Sequence, residues 1–136
     1  MTEQTPYVLL CEDDENDAFL FELEWRRAGF ALPLRVMSNA EKVLDLLGRC
    51  KDEGEHCPAL IISDHKLMVG GGMDILAFVR STPLFVDIPV ILTSGVVDAN
   101  THAKALSLGA LDVWEKPASP EDLARLAANM PALLRS

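Results

Sequence analysis

The sequence predicts a doubly wound α/β fold, one parallel sheet of five strands with five helices on its two faces. Three observations predict it. Short apolar runs alternate with segments of helical period five times along the chain. The runs are apolar throughout rather than alternating, which suits strands buried on both faces of a parallel sheet. Each run is followed by a helix-length segment, and right-handed crossovers of that kind wind helices onto both faces. The chain has 136 residues and is 49% apolar, enough for a single sizeable core. Residues 1–136 read as a single domain, without a linker to an output domain, a repeat or a low-complexity tract.

Each element has its own signal. Tyr7 to Cys11 is the first strand, and Asp14 to Ala28 the first helix, with Ala18, Phe21, Trp25 and Ala28 on one stripe and Gly29 closing it. Leu34 to Met37 is a weaker second strand. Asn39 can cap a helix carrying Ala40, Val43, Leu44 and Leu47 inward, with Gly48 near its end. Residues 49–58 are polar and mixed in charge, as in a solvated loop. Pro58 precedes the strand Ala59 to Ser63, and Gly72 to Arg80 opens the third helix, with Pro83 beyond its end. Pro89 precedes the strand Val90 to Thr93. Ala99 to Leu108 is helical and stops at Gly109, and Leu111 to Trp114 is the fifth strand. Ser119-Pro120-Glu121 starts the last helix, with a Ser cap and Pro at the first helical position; Leu123, Leu126, Ala127 and Met130 face inward.

Composition excludes several classes of function. The net charge is -9, and Lys and Arg are too few and scattered for a phosphate backbone, so nucleic acid is not a direct partner. No apolar run approaches the roughly 20 residues of a membrane-spanning helix. The N-terminus lacks the basic patch of a signal peptide. Cys11, Cys50 and Cys57 are odd in number and lack C-x-x-C spacing, which fits reduced thiols in a cytoplasmic protein.

The chemistry gathers at strand ends. In a parallel sheet the carboxyl ends share one rim, where sites form. Strand one runs into Glu12-Asp13-Asp14, strand three into Asp64, strand four into Thr93-Ser94-Gly95 and strand five into Glu115-Lys116-Pro117. Converging carboxylates repel, and a hard divalent cation compensates them. Mg²⁺, bound through one or two carboxylates, waters and phosphate oxygens, suits this rim, and Mn²⁺ is an acceptable substitute. A carboxylate can attack phosphorus to give an acyl phosphate. The incoming charge then needs donors, which Lys116, Ser94 and the Gly95 N–H can supply. Asp14, Glu15 and Asp17 read as a capped, solvated helix start. His65 reads as a partly exposed loop residue, and Gly70-Gly71-Gly72 as a flexible turn, since no Gly-Lys-Ser/Thr follows.

Four stretches in order, "LLCEDD" at 9–14, "LIISD" at 60–64, "PVILTSG" at 89–95 and "GALDVWEKP" at 109–117, resemble the receiver domain of two-component response regulators. The resemblance covers nearly the whole chain. It implies the flavodoxin/CheY-like sheet with strand order 2-1-3-4-5. It implies Asp64 as phosphoryl acceptor and Glu12 and Asp13 as the acidic pair, Asp13 being the direct metal ligand. The backbone carbonyl of Lys66 would be a further ligand. Ser94 takes the hydroxyl position, preferred to Thr93 for its spacing to Lys116 and for the small Gly95 after it. Lys116 would pair with phosphoryl oxygens, and the Lys116-Pro117 bond would be cis. The partners implied are a sensor histidine kinase or phosphotransfer protein and a downstream protein target, met through the fourth and fifth helices and fifth strand, with the chain a monomer or homodimer. With "EDDENDAFL" and the long stretch 49–58, the chain resembles stand-alone receivers paired with phytochrome-type kinases.

The sequence departs from that pattern after the acceptor, where Pro is replaced by Met68 and Asp by Gly71, while Gly72 is kept. The looser residues 67–72 are expected to be more mobile than the other strand–helix loops. Val113 stands where many receivers carry Tyr or Phe, with Trp114 directed to the other face of the strand, and Ala118 where an aromatic often follows Lys-Pro. Two rival readings are a receiver-like binding module that works without phosphorylation and a Mg²⁺-dependent phosphohydrolase of haloacid dehalogenase type. The latter wants an acid two residues after its nucleophile, where this chain has Lys66.

Overall fold

Val8–Cys11 (β1) is buried at every position because strands flank it on both edges and helices cover both faces. The computed structural model describes residues 6–53, 57–66 and 71–134. Leu34–Met37 (β2), Leu60–Asp64 (β3), Val90–Ser94 (β4) and Asp112–Glu115 (β5) complete an all-parallel sheet in the order β2-β1-β3-β4-β5. The helices are Glu15–Arg27 (α1), Ala40–Glu53 (α2), Gly72–Ser81 (α3), Ala99–Ser107 (α4) and Pro120–Asn129 (α5). From β1 the chain passes to β2 on one side and then crosses to β3 on the other. That reversal opens a crevice at the carboxyl ends of β1 and β3.

Strand side chains alternate between two cores. Leu9, Cys11, Ile61, Leu92 and Val113 face α2, α3 and α4. Val8, Leu10, Ile62, Ile91 and Trp114 face Trp25 of α1 and Leu123 and Leu126 of α5. Val113 and Trp114 thus point to opposite faces, as their adjacency requires. Trp25 stacks on Phe30 at 4.0 Å and donates its indole N–H to the Leu32 carbonyl at 3.0 Å. The burial of the Cys11 thiol pushes its pKa up to about 12, as expected of a small core residue.

Side chains set the helix starts. Asp14 Oδ1 accepts from the Asp17 N–H, Asn39 Oδ1 from Lys42 N–H, and Asp98 Oδ1 from Thr101 N–H. Ser119 and Asp122 exchange reciprocal bonds ahead of α5, with Pro120 at its first position. Gly29 (φ 90) and Gly109 (φ 102) follow α1 and α4 in the left-handed region that glycine enters at no steric cost.

The structure corrects several boundaries. Helix α2 runs to Glu53, so residues 49–53 belong to a helix and not to a solvated loop. Its buried stripe is Ala40, Val43, Leu46, Leu47 and Cys50, with Leu44 only half-buried; Cys50 continues the helical period one turn beyond Leu46 and Leu47 and carries the helix past Gly48. Strand β2 is half exposed, as an edge strand, and β5 starts one residue later than predicted. Ala28 caps α1 and is exposed. Two 3₁₀ turns, Pro83–Phe85 and Pro131–Leu134, bury Phe85 and Leu133. Met68, and with it the expected mobility of residues 67–70, lies outside the described residues, as does His56.

Candidate functional site

The rim is built by strand extension. Past β1, the Glu12 N–H donates to the Met37 carbonyl at 2.9 Å, which fixes Glu12 at the sheet edge. Past β3, the His65 N–H donates to Thr93 O at 2.7 Å; past β5, the Lys116 N–H donates to Ser94 O at 2.8 Å. These bonds carry Glu12, Asp64 and Lys116 to one point. The Lys116 ammonium donates to Asp64 Oδ2 at 2.7 Å and to Asp17 Oδ2 at 3.2 Å, and pairs with Glu12 Oε1 at 2.6 Å. Asp64 Oδ1 accepts from the Lys66 N–H at 3.2 Å, and Glu12 Oε2 from the Asp14 N–H at 3.1 Å. The Lys116-Pro117 bond is cis, as expected from the resemblance.

Carboxylate oxygens of Glu12, Asp13 and Asp64 all lie within 4.8 Å of one another. Burial is the largest influence on Glu12 and raises its pKa; hydrogen bonds from Lys116 and the Asp14 N–H oppose the rise without cancelling it, and Asp64 adds to it. Burial is also the largest influence on Lys116, but there the hydrogen bonds and charges of Asp64 and Glu12 outweigh it and raise the pKa. Lys116 is therefore an ammonium at any ordinary pH. Closely spaced hard oxygen donors with no His or Cys among them fit a Mg²⁺- or Mn²⁺-sized cation and not zinc.

The other predicted residues stand as follows. Lys66 is beside the acceptor through its N–H, and it forms an isolated bridge with Gly71. The Ser94 hydroxyl donates to the Val96 carbonyl at 2.9 Å, turned into its own loop. Gly95 lines a cleft of about 310 Å³ with Glu12, Asp17, Leu20, Phe21 and Lys116. A Cβ at Gly95 would meet nothing within 4 Å, so packing does not demand a glycine there. Gly72 is different: a Cβ would lie 2.6 Å from the Asp64 carbonyl oxygen and 2.9 Å from Leu92 Cδ2. Helix α3 can start this close to the acceptor strand only on a glycine. His65 is half-buried, and its Nδ1 is buried without a hydrogen-bond partner.

Asp17 is the residue that the sequence reading missed. Its place in a capped, solvated helix start does not suggest a partner, yet its carboxylate reaches Lys116 at 3.2 Å.

This fold and this cluster are those of a receiver. The family model "Response regulator receiver domain" matches residues 8–128, and the chain belongs to that family. It is 31% identical over 128 residues to "Transcriptional regulatory protein GltR" of Pseudomonas aeruginosa, an alignment that covers 94% of this chain and 48% of that protein. The chain thus spans about half the length of that relative. "Bacteriophytochrome response regulator RtBRR" superposes with a TM-score of 0.80 at 26% identity, covering 93% of this chain and 78% of the other. The Mn(2+)-bound form of response regulator Rcp1 shares the fold, with a TM-score of 0.75 at 19% identity and 96% of each chain covered. No helix among the described residues is long and apolar enough to cross a membrane.

Proposed function

We propose that Asp64 accepts a phosphoryl group in a Mg²⁺-dependent reaction with a histidine-borne donor on a sensor kinase or phosphotransfer protein, and that the chain signals from the cytoplasm through protein contact. The observation that carries this reading is the position of Asp64, bonded to Lys116 at 2.7 Å and within 4.8 Å of the Glu12 and Asp13 oxygens. An Asp64 oxygen attacks phosphorus, the P–N bond of the donor breaks, and the imidazole leaves with the electron pair. Lys116 meets the charge on the phosphoryl oxygens. Glu12, Asp13, Asp64 and the Lys66 carbonyl would hold Mg²⁺, which supplies charge neutralisation. The Gly95 N–H contributes a donor, and Ser94 does so once its hydroxyl turns from Val96. The exposed leucines Leu106, Leu108 and Leu111 support the surface of α4, β5 and α5 as the contact face toward a downstream protein.

The test is direct. The protein is incubated with Mg²⁺ and acetyl phosphate or phosphoramidate, and its intact mass is taken. A single gain of about 80 Da, absent without Mg²⁺ and absent in Asp64→Asn, is expected. No adduct under any condition would leave a binding module that works without phosphorylation. Sustained turnover of assorted phosphate esters would instead mark a phosphohydrolase.

A further inference from the structure

We propose that Asp17 is a positioning residue for Lys116, holding its ammonium from the side of α1 and so tying α1 to the state of the acceptor. The proposal rests on the reading of Asp64 as phosphoryl acceptor. An ammonium has three N–H donors and no acceptor. Three carboxylates surround this one: Glu12 at 2.6 Å, Asp64 at 2.7 Å and Asp17 at 3.2 Å. Its donors are therefore all engaged before any phosphoryl group arrives, and a phosphoryl oxygen must replace one of the three.

The three partners are not equivalent. Glu12 has a side chain only 5% exposed, and its second oxygen is held by the Asp14 N–H, so it is fixed at both ends. Asp64 is the group being modified. Acyl phosphate formation removes the charge of its carboxylate and offers a phosphoryl oxygen in its place. Asp17 makes the longest contact, and its side chain is 42% exposed. Its backbone is anchored, because its N–H donates to the Asp14 cap at 2.9 Å. A fixed backbone with a half-exposed carboxylate can act as a tether. It can follow the ammonium through a small displacement without releasing it. Without Asp17 the third N–H faces the cleft lined by Leu20 and Phe21, and the ammonium loses one of three constraints on its direction.

A plain field effect is the competing account, in which Asp17 only adds negative charge near the cation site. Two variants separate them. Asp17→Asn keeps an acceptor oxygen at the same reach and removes the charge; Asp17→Ala removes both. The 136-residue chain is used, with exposed Glu15→Ala from the same helical turn as control. Three quantities are measured: Mg²⁺ affinity with the metal alone, the saturating rate of phosphorylation by acetyl phosphate, and the lysine ¹H–¹⁵N ammonium signal of Lys116 in metal-free protein. Positioning predicts that Asp17→Ala lowers the saturating rate about fivefold while Mg²⁺ affinity changes less than about twofold. Asp17→Asn stays within about twofold of the wild type in rate. The Lys116 signal, sheltered from solvent exchange in the wild type and Asp17→Asn, is lost in Asp17→Ala. Equal effects of the two variants on rate and Mg²⁺ affinity, or no effect of Asp17→Ala on either rate or signal, overturn the proposal. If the wild type takes up no phosphoryl group, the acceptor reading fails, while the Lys116 signal still decides whether Asp17 holds the ammonium.

Discussion

Lys116 lies among the same oxygens that a divalent cation would use, so the two would compete. Replacing it should relieve that competition: Lys116→Met is expected to bind Mg²⁺ about tenfold more tightly, or ~1.4 kcal/mol, while phosphorylation by acetyl phosphate falls sharply. Calorimetric titration and intact mass check the two halves separately, and unchanged or weaker Mg²⁺ binding would contradict the competition. Glu12 makes a pH prediction. Its pKa is higher folded than unfolded, chiefly through burial. A raised acid contributes stability below its unfolded pKa, about 4, and loses it as pH rises through the folded value. In chelator, thermal stability should therefore fall as pH rises above about 4, and Glu12→Gln should flatten that slope. Glu12, Asp13, Asp64 and Lys116 were visible in the sequence because each sits where an apolar run stops, and strand direction alone carries such residues to one rim. Asp17 was not visible, because its contact depends on how far a lysine from the other end of the chain reaches. Nor was the Ser94 rotamer, which a carbonyl two residues away decides.

At the scale of elements, two glycines that look alike in the sequence have opposite roles. Gly72 has backbone where a methyl would go, while Gly48 sits inside α2 with nothing within 4 Å of a Cβ. Gly72→Ala should destabilise by about 2 kcal/mol through forced separation of α3 from β3. Gly48→Ala should stabilise by about 0.5–1 kcal/mol, the difference in helix propensity. Urea denaturation of the pair checks both signs; a neutral Gly72→Ala would show that the start of α3 shifts freely. Arg80 makes a further junction, donating to the carbonyls of Gly109, Val86 and Ile88 at 2.8–3.0 Å. Helix starts were legible from Asn39 and Ser119, since caps are local chemistry. The end of α2 was not, because polar Arg49 and Lys51 hid the buried Cys50 that continues the stripe.

For the whole molecule, the strand order came from the resemblance, since periodicity alone does not say which strands are neighbours. The cluster of Glu12, Asp13 and Asp64 at the switch point would make the folded chain responsive to any cation it holds. Mg²⁺ at about ten times its dissociation constant should add ~1.4 kcal/mol, or about 5 °C in Tm, and Asp13→Asn should abolish the shift. An equal shift in the variant would place the cation elsewhere. Asp112 contributes to the acid limb. Burial raises its pKa, but bonds from Trp114, Arg125 and the Val113 N–H outweigh that and lower it. Its contribution is thus present above about pH 4 and lost as the pH falls further. One consequence follows from the alternation of Val113 and Trp114. Both tryptophans lie in the layer of α1 and α5, where Phe21 stacks on Trp25 at 6.0 Å and on Trp114 at 6.4 Å. Ultraviolet emission from this chain is thereby a one-sided signal. It will brighten or dim with events beside α1 and the Asp17 cleft, and rearrangement of the α4 side, where Val113 takes the place of an aromatic, will pass in the dark.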